Sequence, residues 1–183
     1  MHNSFFISFG KVSACAILFV LCNLFSSCKN ESKPVQKTDP IQFKNQLERV
    51  NKYEVEKEAD EINQYIARYG WDMQKTGTGL RYIFIQKGAG DSARSGDFVK
   101  VNYKISLLDG TECYSSDKDG PYEFKVEGEA IESGLHEAVQ LMRVGDKAKF
   151  ILPFYLAHGL HGDDANIPPL ATIIVDLELL EKR

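Results

Sequence analysis

Few cysteines, little net charge and no nucleotide-binding loop set the first limits on what this chain does. Only four of its 183 residues are cysteine, and they form no paired-cysteine metal motif. The glycine pairs in "GTGL" and "GAG" are isolated, so they make neither a phosphate-binding loop nor a dinucleotide-binding motif. A formal net charge of −4, without a basic run, argues against nucleic-acid binding. We expect no cofactor, no metal and no nucleic-acid partner.

The N-terminal apolar run is shorter than a typical membrane-spanning helix. "VSACAILFVLCNLF" follows Lys11 and has about 14 residues, whereas a spanning helix needs about 20. A charge followed by a short apolar core is typical of an export signal, and a short transmembrane anchor is the alternative. The next residues, "LFSSC", resemble a bacterial lipoprotein signal. That resemblance implies a signal peptide over 1–27, lipidation of Cys28 and a flexible tether over 28–40.

Lipidation at Cys28 predicts a place in the cell envelope, anchored to a membrane and exported, with the periplasmic side favoured over the cell surface. This compartment permits disulfides. If Cys28 is lipidated, however, Cys113 has no partner within the folded part of the chain.

Residues 41–69 predict a long helix, within a helical extension over 41–75. One apolar stripe repeats at spacings of four and three residues and ends before Gly70, which is a suitable helix stop. It consists of Val55, Ala59, Ile62, Ile66 and Tyr69. Two interpretations stay open. The helix docks on its own domain or acts as a spacer, or it pairs with a second copy to make a homodimer.

From residue 76 the apolar period changes from helical to alternating, which predicts strands. In "DFVKVNYKISLLDG" every second residue from Val99 to Leu107 is apolar or aromatic, and an Asp-Gly turn closes the strand. "LRYIFIQKG", "YEFKV", "KAKFILP" and "ATIIVDLELLE" are further strands, and "GLHEAVQLM" is one short helix facing the core through Leu135, Val139 and Met142. These elements predict an α+β domain.

Four ordered segments carry a family resemblance: "VKVNYKISLLDGTE", "GLHEAVQLMRVGDKAKFILP", "LAHGLHG" and "NIPPLATIIVDLELL". Their order and spacing resemble the FKBP-type peptidyl-prolyl isomerases over about residues 77–181. The resemblance implies an FKBP-like domain over 76–183, in which an antiparallel half-barrel sheet of five to six strands wraps around the short helix, with the pocket between them. The N-terminal half resembles lipidated, helix-extended members in the envelopes of gliding bacteria.

Carried over position by position, the resemblance places Tyr103 in the pocket wall with its hydroxyl towards a ligand. Tyr122 and Phe124 fall in the next aromatic strand, where Phe124 is expected to be core. Ala130 and Ile131 match a segment in which the isoleucine N–H meets a substrate carbonyl. Ile167 matches an aliphatic lip.

The departures from the family pattern predict a wider and weaker pocket. Leu135 replaces a tryptophan floor, His158 a loop tyrosine and Val175 an aromatic residue. Cys113 and Tyr114 replace an aromatic residue and an acid. Cys113 is expected to be a small apolar wall residue, with a reactive thiol or an intermolecular disulfide as the alternatives.

The loop that contains His158 also carries His161, Asp163 and Asp164, and a metal site there is the minor alternative to a solvated turn.

The resemblance implies an envelope-anchored prolyl isomerase that assists folding of exported proteins by rotating X–Pro bonds in proline-containing polypeptides. This reaction needs no nucleophile or cofactor. The alternative is a weakly active or inactive binding module on the same scaffold, in an envelope assembly such as a gliding motility apparatus. The fold, Tyr103, Ile131 and the export signal support the isomerase, whereas the altered pocket favours the alternative.

Overall fold

A computed structural model of the chain describes residues 40–183 apart from Glu129. The predicted signal peptide over 1–27, the lipidation site Cys28 and nearly all of the tether lie outside the described residues. Within the described part, four helical segments accompany one sheet. They are α1 (Pro40–Tyr69), α2 (Ser116–Asp119), α3 (Ser133–Gln140) and a 3-10 turn (Phe154–Leu156).

The sheet is antiparallel throughout its described strands. They are β1 (Gln74–Lys75), β2 (Arg81–Gln86), β3 (Phe98–Leu107), β4 (Glu112–Ser115), β5 (Tyr122–Lys125), β6 (Lys147–Leu152) and β7 (Ile173–Lys182). Their spatial order is β1-β2-β6-β7-β3-β4, and β5 pairs with the first half of β3. This arrangement confirms the predicted α+β class, the antiparallel sheet and the long N-terminal helix. The described sheet has seven strands, where five to six were predicted.

Alternation along β3 and β7 builds the main core. Val99, Val101, Leu177 and Leu179 are at most 3% exposed, and their side chains share the face that α3 covers. From α3 and the turn after it, Leu135, Val139 and Met142 pack into the same cluster, as predicted. Because side chains in a strand alternate between faces, the polar residues of β3 lie on the opposite side.

The segment between β3 and β5 differs from the prediction, which contained neither β4 nor α2. β4 pairs with the second half of β3 and β5 with the first half. Between them, the Ser115 hydroxyl accepts the Asp117 N–H at 3.2 Å and begins the single turn of α2. Gly120 ends that turn with φ of 80°. A serine cap and a glycine stop therefore divide the partner of β3 into two short strands.

The C-terminal half of α1 docks on the other face of the sheet. Ile62 and Tyr65 pack against Ile151 of β6 and Ile174 of β7, which are direct cross-strand neighbours. This half of the helix therefore docks on its own domain, which is one of the interpretations that the sequence left open. Further up the helix, Leu47, Val50 and Tyr53 are about half exposed or more: 48%, 52% and 62%. Among the described helices none has the length and apolar composition needed to span a membrane.

Candidate active site

A cavity of about 360 Å³ opens between the sheet and the start of α3. Its lining comes from β3, β4, β5, β7, the segment before α3 and the loop between β6 and β7. The lining residues are Val101, Tyr103, Ile105, Tyr114, Tyr122, Ala130, Ile131, Glu132, Leu135, His158, Asp163, Val175 and Leu177. Aromatic and aliphatic side chains dominate this list, as is usual for cavities that bind small or extended ligands.

The strand wall of the cavity, meaning its residues on β3 and β7, is apolar apart from one hydroxyl. In the antiparallel register Tyr103 lies opposite Leu177, and Ile105 lies opposite Val175. Alternation places all four on the same face of the sheet. Ladder hydrogen bonds on both strands fix their backbones, so this wall is set by the sheet itself.

Tyr103 supplies the hydroxyl of the strand wall. Burial raises the pKa of Tyr103, and the carboxylate of Asp119, to which it hydrogen-bonds, raises it further. The ring of Tyr122 meets the Tyr103 ring edge-on, with centroids 6.4 Å apart. At neutral pH the Tyr103 hydroxyl is therefore protonated.

Leu135 forms the floor of the cavity, and Gly134 determines how deep that floor lies. A Cβ on Gly134 would sit 2.7 Å from the Leu156 carbonyl oxygen and equally close to the Leu152 side chain. Only glycine lets the first turn of α3 approach β6 this closely. Ala130 and Ile131 lead into the helix and form the adjacent rim.

The loop wall, meaning His158 and Asp163 on the β6–β7 loop, brings charge to the cavity. Asp163 Oδ1 accepts the N–H groups of Ala165 at 2.9 Å and Ile167 at 2.7 Å, and Oδ2 accepts the Tyr114 hydroxyl. Burial raises the pKa of Asp163, but these hydrogen bonds and nearby His158 outweigh it and lower the pKa to about 2. The same contact raises the pKa of Tyr114. Asp163 is thus a carboxylate at neutral pH.

His158 completes the loop wall through a contact with the segment before α3. Its Nε2 lies 3.1 Å from the Glu132 carboxylate, and both side chains are mostly shielded from solvent. This contact joins the two sides of the cavity mouth.

Eight of the ten pocket residues expected from the sequence line the cavity. They are Tyr103, Tyr114, Tyr122, Ala130, Ile131, Leu135, His158 and Val175. Phe124 is fully buried in the core, as expected.

Cys113 and Ile167 do not line it. Cys113 lies behind the wall, with Sγ 3.5 Å from the Asn166 carbonyl oxygen, because its neighbour Tyr114 faces the cavity instead. Ile167 is 2% exposed and packs into the core beneath the loop.

The cavity contains carboxylates even though Tyr114 stands where the family has an acid. Asp163 and Glu132 both line the cavity, although position 114 holds tyrosine. The expectation that the Asp163 loop is only a solvated turn was incomplete for the same reason. The sequence analysis did not assign Val101, Ile105 and Leu177 to the cavity. Their alternation with polar residues on β3 and β7 could have indicated this, because it places them on the apolar strand faces.

Nothing among residues 40–128 and 130–183 assembles a metal site, since no group of three or more His, Cys, Asp or Glu side chains there could hold an ion. His158 and Asp163 are engaged with Glu132 and Tyr114 instead.

Comparison with known proteins identifies the family to which this sequence is similar. Residues 90–180 match the family model described as FKBP-type peptidyl-prolyl cis-trans isomerase. A probable FKBP-type peptidyl-prolyl cis-trans isomerase of Haemophilus influenzae is 35% identical over 129 residues, covering 70% of this chain and 52% of that protein. The FKBP-type peptidyl-prolyl cis-trans isomerase FkpA of Aeromonas hydrophila is 41% identical over 109 residues, covering 59% and 40%. The chain therefore spans about half or less of these relatives.

A solved structure extends the likeness beyond the matched domain. The crystal structure of FkpA from Escherichia coli superposes with a TM-score of 0.61 at 26% identity, covering 94% of this chain and 83% of that one. The fold, the cavity and the sequence match agree with the resemblance noted from the four segments, and on these grounds the chain belongs to the FKBP-type peptidyl-prolyl cis-trans isomerase family.

Proposed function

We propose that this chain is a peptidyl-prolyl cis-trans isomerase acting on proline-containing polypeptides. The cavity carries the proposal, because its strand wall and floor offer an apolar slot beside Tyr103 and Ile131. An X–Pro bond rotates over a barrier of about 18–20 kcal/mol, although its cis and trans forms differ by only about 0.5–1 kcal/mol. Amide resonance makes the planar ground state polar and well solvated. A slot that holds the proline ring and strips water from the carbonyl favours the twisted, less polar state.

Relaxation of a short X–Pro peptide from cis to trans tests the proposal. The chain should accelerate relaxation, and Ile131→Glu should lower kcat/KM by about tenfold or more by placing a charge at the cavity rim. Tyr103→Phe keeps the ring and should cost less. Ile85→Glu is the matched control, since Ile85 is 65% exposed on β2 and lies outside the cavity lining. Folded protein without acceleration would contradict the proposal and favour the binding module, whose support is the loss of aromatic residues at Leu135 and Val175.

We further propose that the enzyme works in the cell envelope on exported proteins, anchored through a lipid on Cys28. Support comes from the signal-like residues 1–27 and the small residues before that cysteine. Expressed in a bacterial host, the chain should partition into detergent, and mass spectrometry should find acyl chains on Cys28. Cys28→Ser should move the protein to the aqueous phase. An unmodified Cys28 in membrane-bound protein would indicate a transmembrane anchor instead.

A homodimer through the predicted helix over 41–69 is the third proposal. Leu47, Val50 and Tyr53 lie on the exposed half of α1, outside the cluster through which the helix docks on the sheet. Sedimentation should give twice the chain mass, and the double variant Leu47→Glu with Val50→Glu should give the monomer. A monomer at every concentration tested would rule the dimer out.

A further inference from the structure

The position of the loop wall depends on residues outside the cavity. The β6–β7 loop runs from Pro153 to Thr172 and is closed by its own hydrogen bonds. The Gly159 N–H donates to the Phe154 carbonyl at 2.8 Å, and the Leu170 N–H donates to the Gly159 carbonyl at 3.0 Å. Because the loop is tied internally in this way, a shift at its ends carries His158 and Asp163 along with it.

One carboxylate oxygen bonds to both ends of this loop, and it comes from the N-terminal helix. Glu58 on α1 accepts the Phe154 N–H on Oε1 at 2.7 Å, and the same oxygen accepts the Thr172 hydroxyl. Phe154 lies 96 residues from Glu58 in the sequence, and Thr172 lies 114 residues away. Phe154 comes just after β6, and Thr172 just before β7. Glu58 therefore joins the two points at which the loop leaves and re-enters the sheet.

Helix docking alone does not account for a glutamate at this position. Glu58 is only 6% exposed, and its second oxygen, Oε2, has no hydrogen-bond partner among the described residues. Burial raises the pKa of Glu58, against the opposing hydrogen bonds from Thr172 and Phe154. An apolar side chain, like that of Ile62 one turn later, would dock the helix without this cost. What glutamate adds is an acceptor that reaches both loop ends.

We propose that Glu58 is a positioning residue of the isomerase, through which α1 sets the distance between the loop wall and the strand wall. The proposal rests on the proposed isomerase function. Glu58 touches no cavity residue in its hydrogen bonds, so it acts through the loop on His158 and Asp163 rather than on substrate. It follows that the helical extension is a working part of the cavity and not merely a spacer.

Three variants of the whole chain, purified in detergent, test this proposal. Glu58→Ala removes the acceptor, Glu58→Gln keeps an acceptor oxygen for both donors, and Glu61→Ala removes an exposed carboxylate on the next turn of α1. Kinetics on an X–Pro peptide, well below each melting temperature, should show an approximately tenfold lower kcat/KM for Glu58→Ala. Glu58→Gln and Glu61→Ala should stay within about twofold of the parent chain.

Amide NMR shifts separate this proposal from the isomerase proposal. In Glu58→Ala the shifts should change along the loop, at Gly159, Gly162 and Ala165, and stay constant along β3; Glu58→Gln should change neither. A parent chain without activity would overturn the isomerase proposal alone. The chemical shifts of the loop amides would still test whether Glu58 positions the loop. The positioning role is overturned if Glu58→Ala lowers the melting temperature but leaves kcat/KM and the loop shifts unchanged. It is equally overturned if Glu58→Gln or Glu61→Ala loses as much activity as Glu58→Ala.

Discussion

The two walls of the cavity are built by different means. The strand wall consists of side chains on β3 and β7 whose backbones are fixed by ladder hydrogen bonds on both sides. The loop wall has no ladder. It is held by hydrogen bonds within the loop, by the Tyr114 hydroxyl, which donates to Asp163, and by the Glu58 carboxylate, which accepts from the start of the loop. The strand wall is apolar and shared with the core, whereas the loop wall is charged and lies at the surface. We therefore expect the strand wall to determine stability and the loop wall to adjust the shape and charge of the site.

The largest expected effect comes from truncating the strand wall. Leu177 is 3% exposed and belongs to both the cavity wall and the core cluster. Leu177→Ala removes buried methyl groups beside a cavity and should lower the free energy of unfolding by about 2–5 kcal/mol. Urea denaturation followed by circular dichroism measures this. A loss no larger than that of a loop-wall variant would abolish the distinction between the walls.

Truncating the loop wall should cost less and act locally. Asp163→Ala removes the acceptor of two backbone N–H groups and the Tyr114 hydroxyl, and should cost about 1–3 kcal/mol. Hydrogen exchange should show faster exchange at Ala165 and Ile167, with the amides of β7 unchanged. Asp164→Asn is the matched control, because Asp164 has φ of 58°, which asparagine tolerates and alanine does not. Exchange that speeds up equally on β7 would show that the two walls unfold as one unit.

Most of the strand wall was predictable from the sequence, and most of the loop wall was not. Alternation from Val99 to Leu107 carries its own signal, because every second residue must face the core. The contact between Tyr114 and Asp163 joins residues 49 positions apart, so no periodic pattern in the sequence indicates it. Position-by-position comparison therefore identified Tyr114, where the family has an acid. It did not identify Asp163, a carboxylate that the loop places in the same cavity.

The same limit explains two other results. Glu58 lies beside the apolar stripe of α1, but its partners lie 96 and 114 residues away, so nothing near it in the sequence marks it as more than a surface charge. β4 was missed because "ECYS" is short and runs into the serine-capped turn of α2. Local propensity finds strands and helices, whereas side-chain hydrogen bonds between distant segments require the structure.

Acid should weaken the loop wall before the strand wall. The folded-state pKa of Asp163 is about 2, below the ordinary aspartate value of 3.8, so its ionised form stabilises the fold. That stability is fully present above the unfolded-state pKa and is lost as the pH falls through about 2. Because water screens this partly exposed group, the loss should be about 1 kcal/mol. The difference in unfolding free energy between the parent chain and Asp163→Asn should therefore be smaller at pH 2.5 than at pH 5. A difference that is constant with pH would contradict this.

The smallest predicted effect is on the alkylation rate of Cys113, which lies behind the cavity wall. Burial raises the pKa of its thiol, and the carboxylates of Asp163 and Asp109 raise it further. Since the thiolate is the reactive form, Cys113 should alkylate slowly at pH 7.5 in folded protein and faster in urea. Peptide mass spectrometry follows this cysteine separately from the three N-terminal ones. Asp163→Asn should speed the reaction only slightly, because burial is the main cause of the raised pKa. Fast alkylation of the folded chain would instead favour the reactive-thiol interpretation and would mean that the loop wall opens often enough to expose the sulfur.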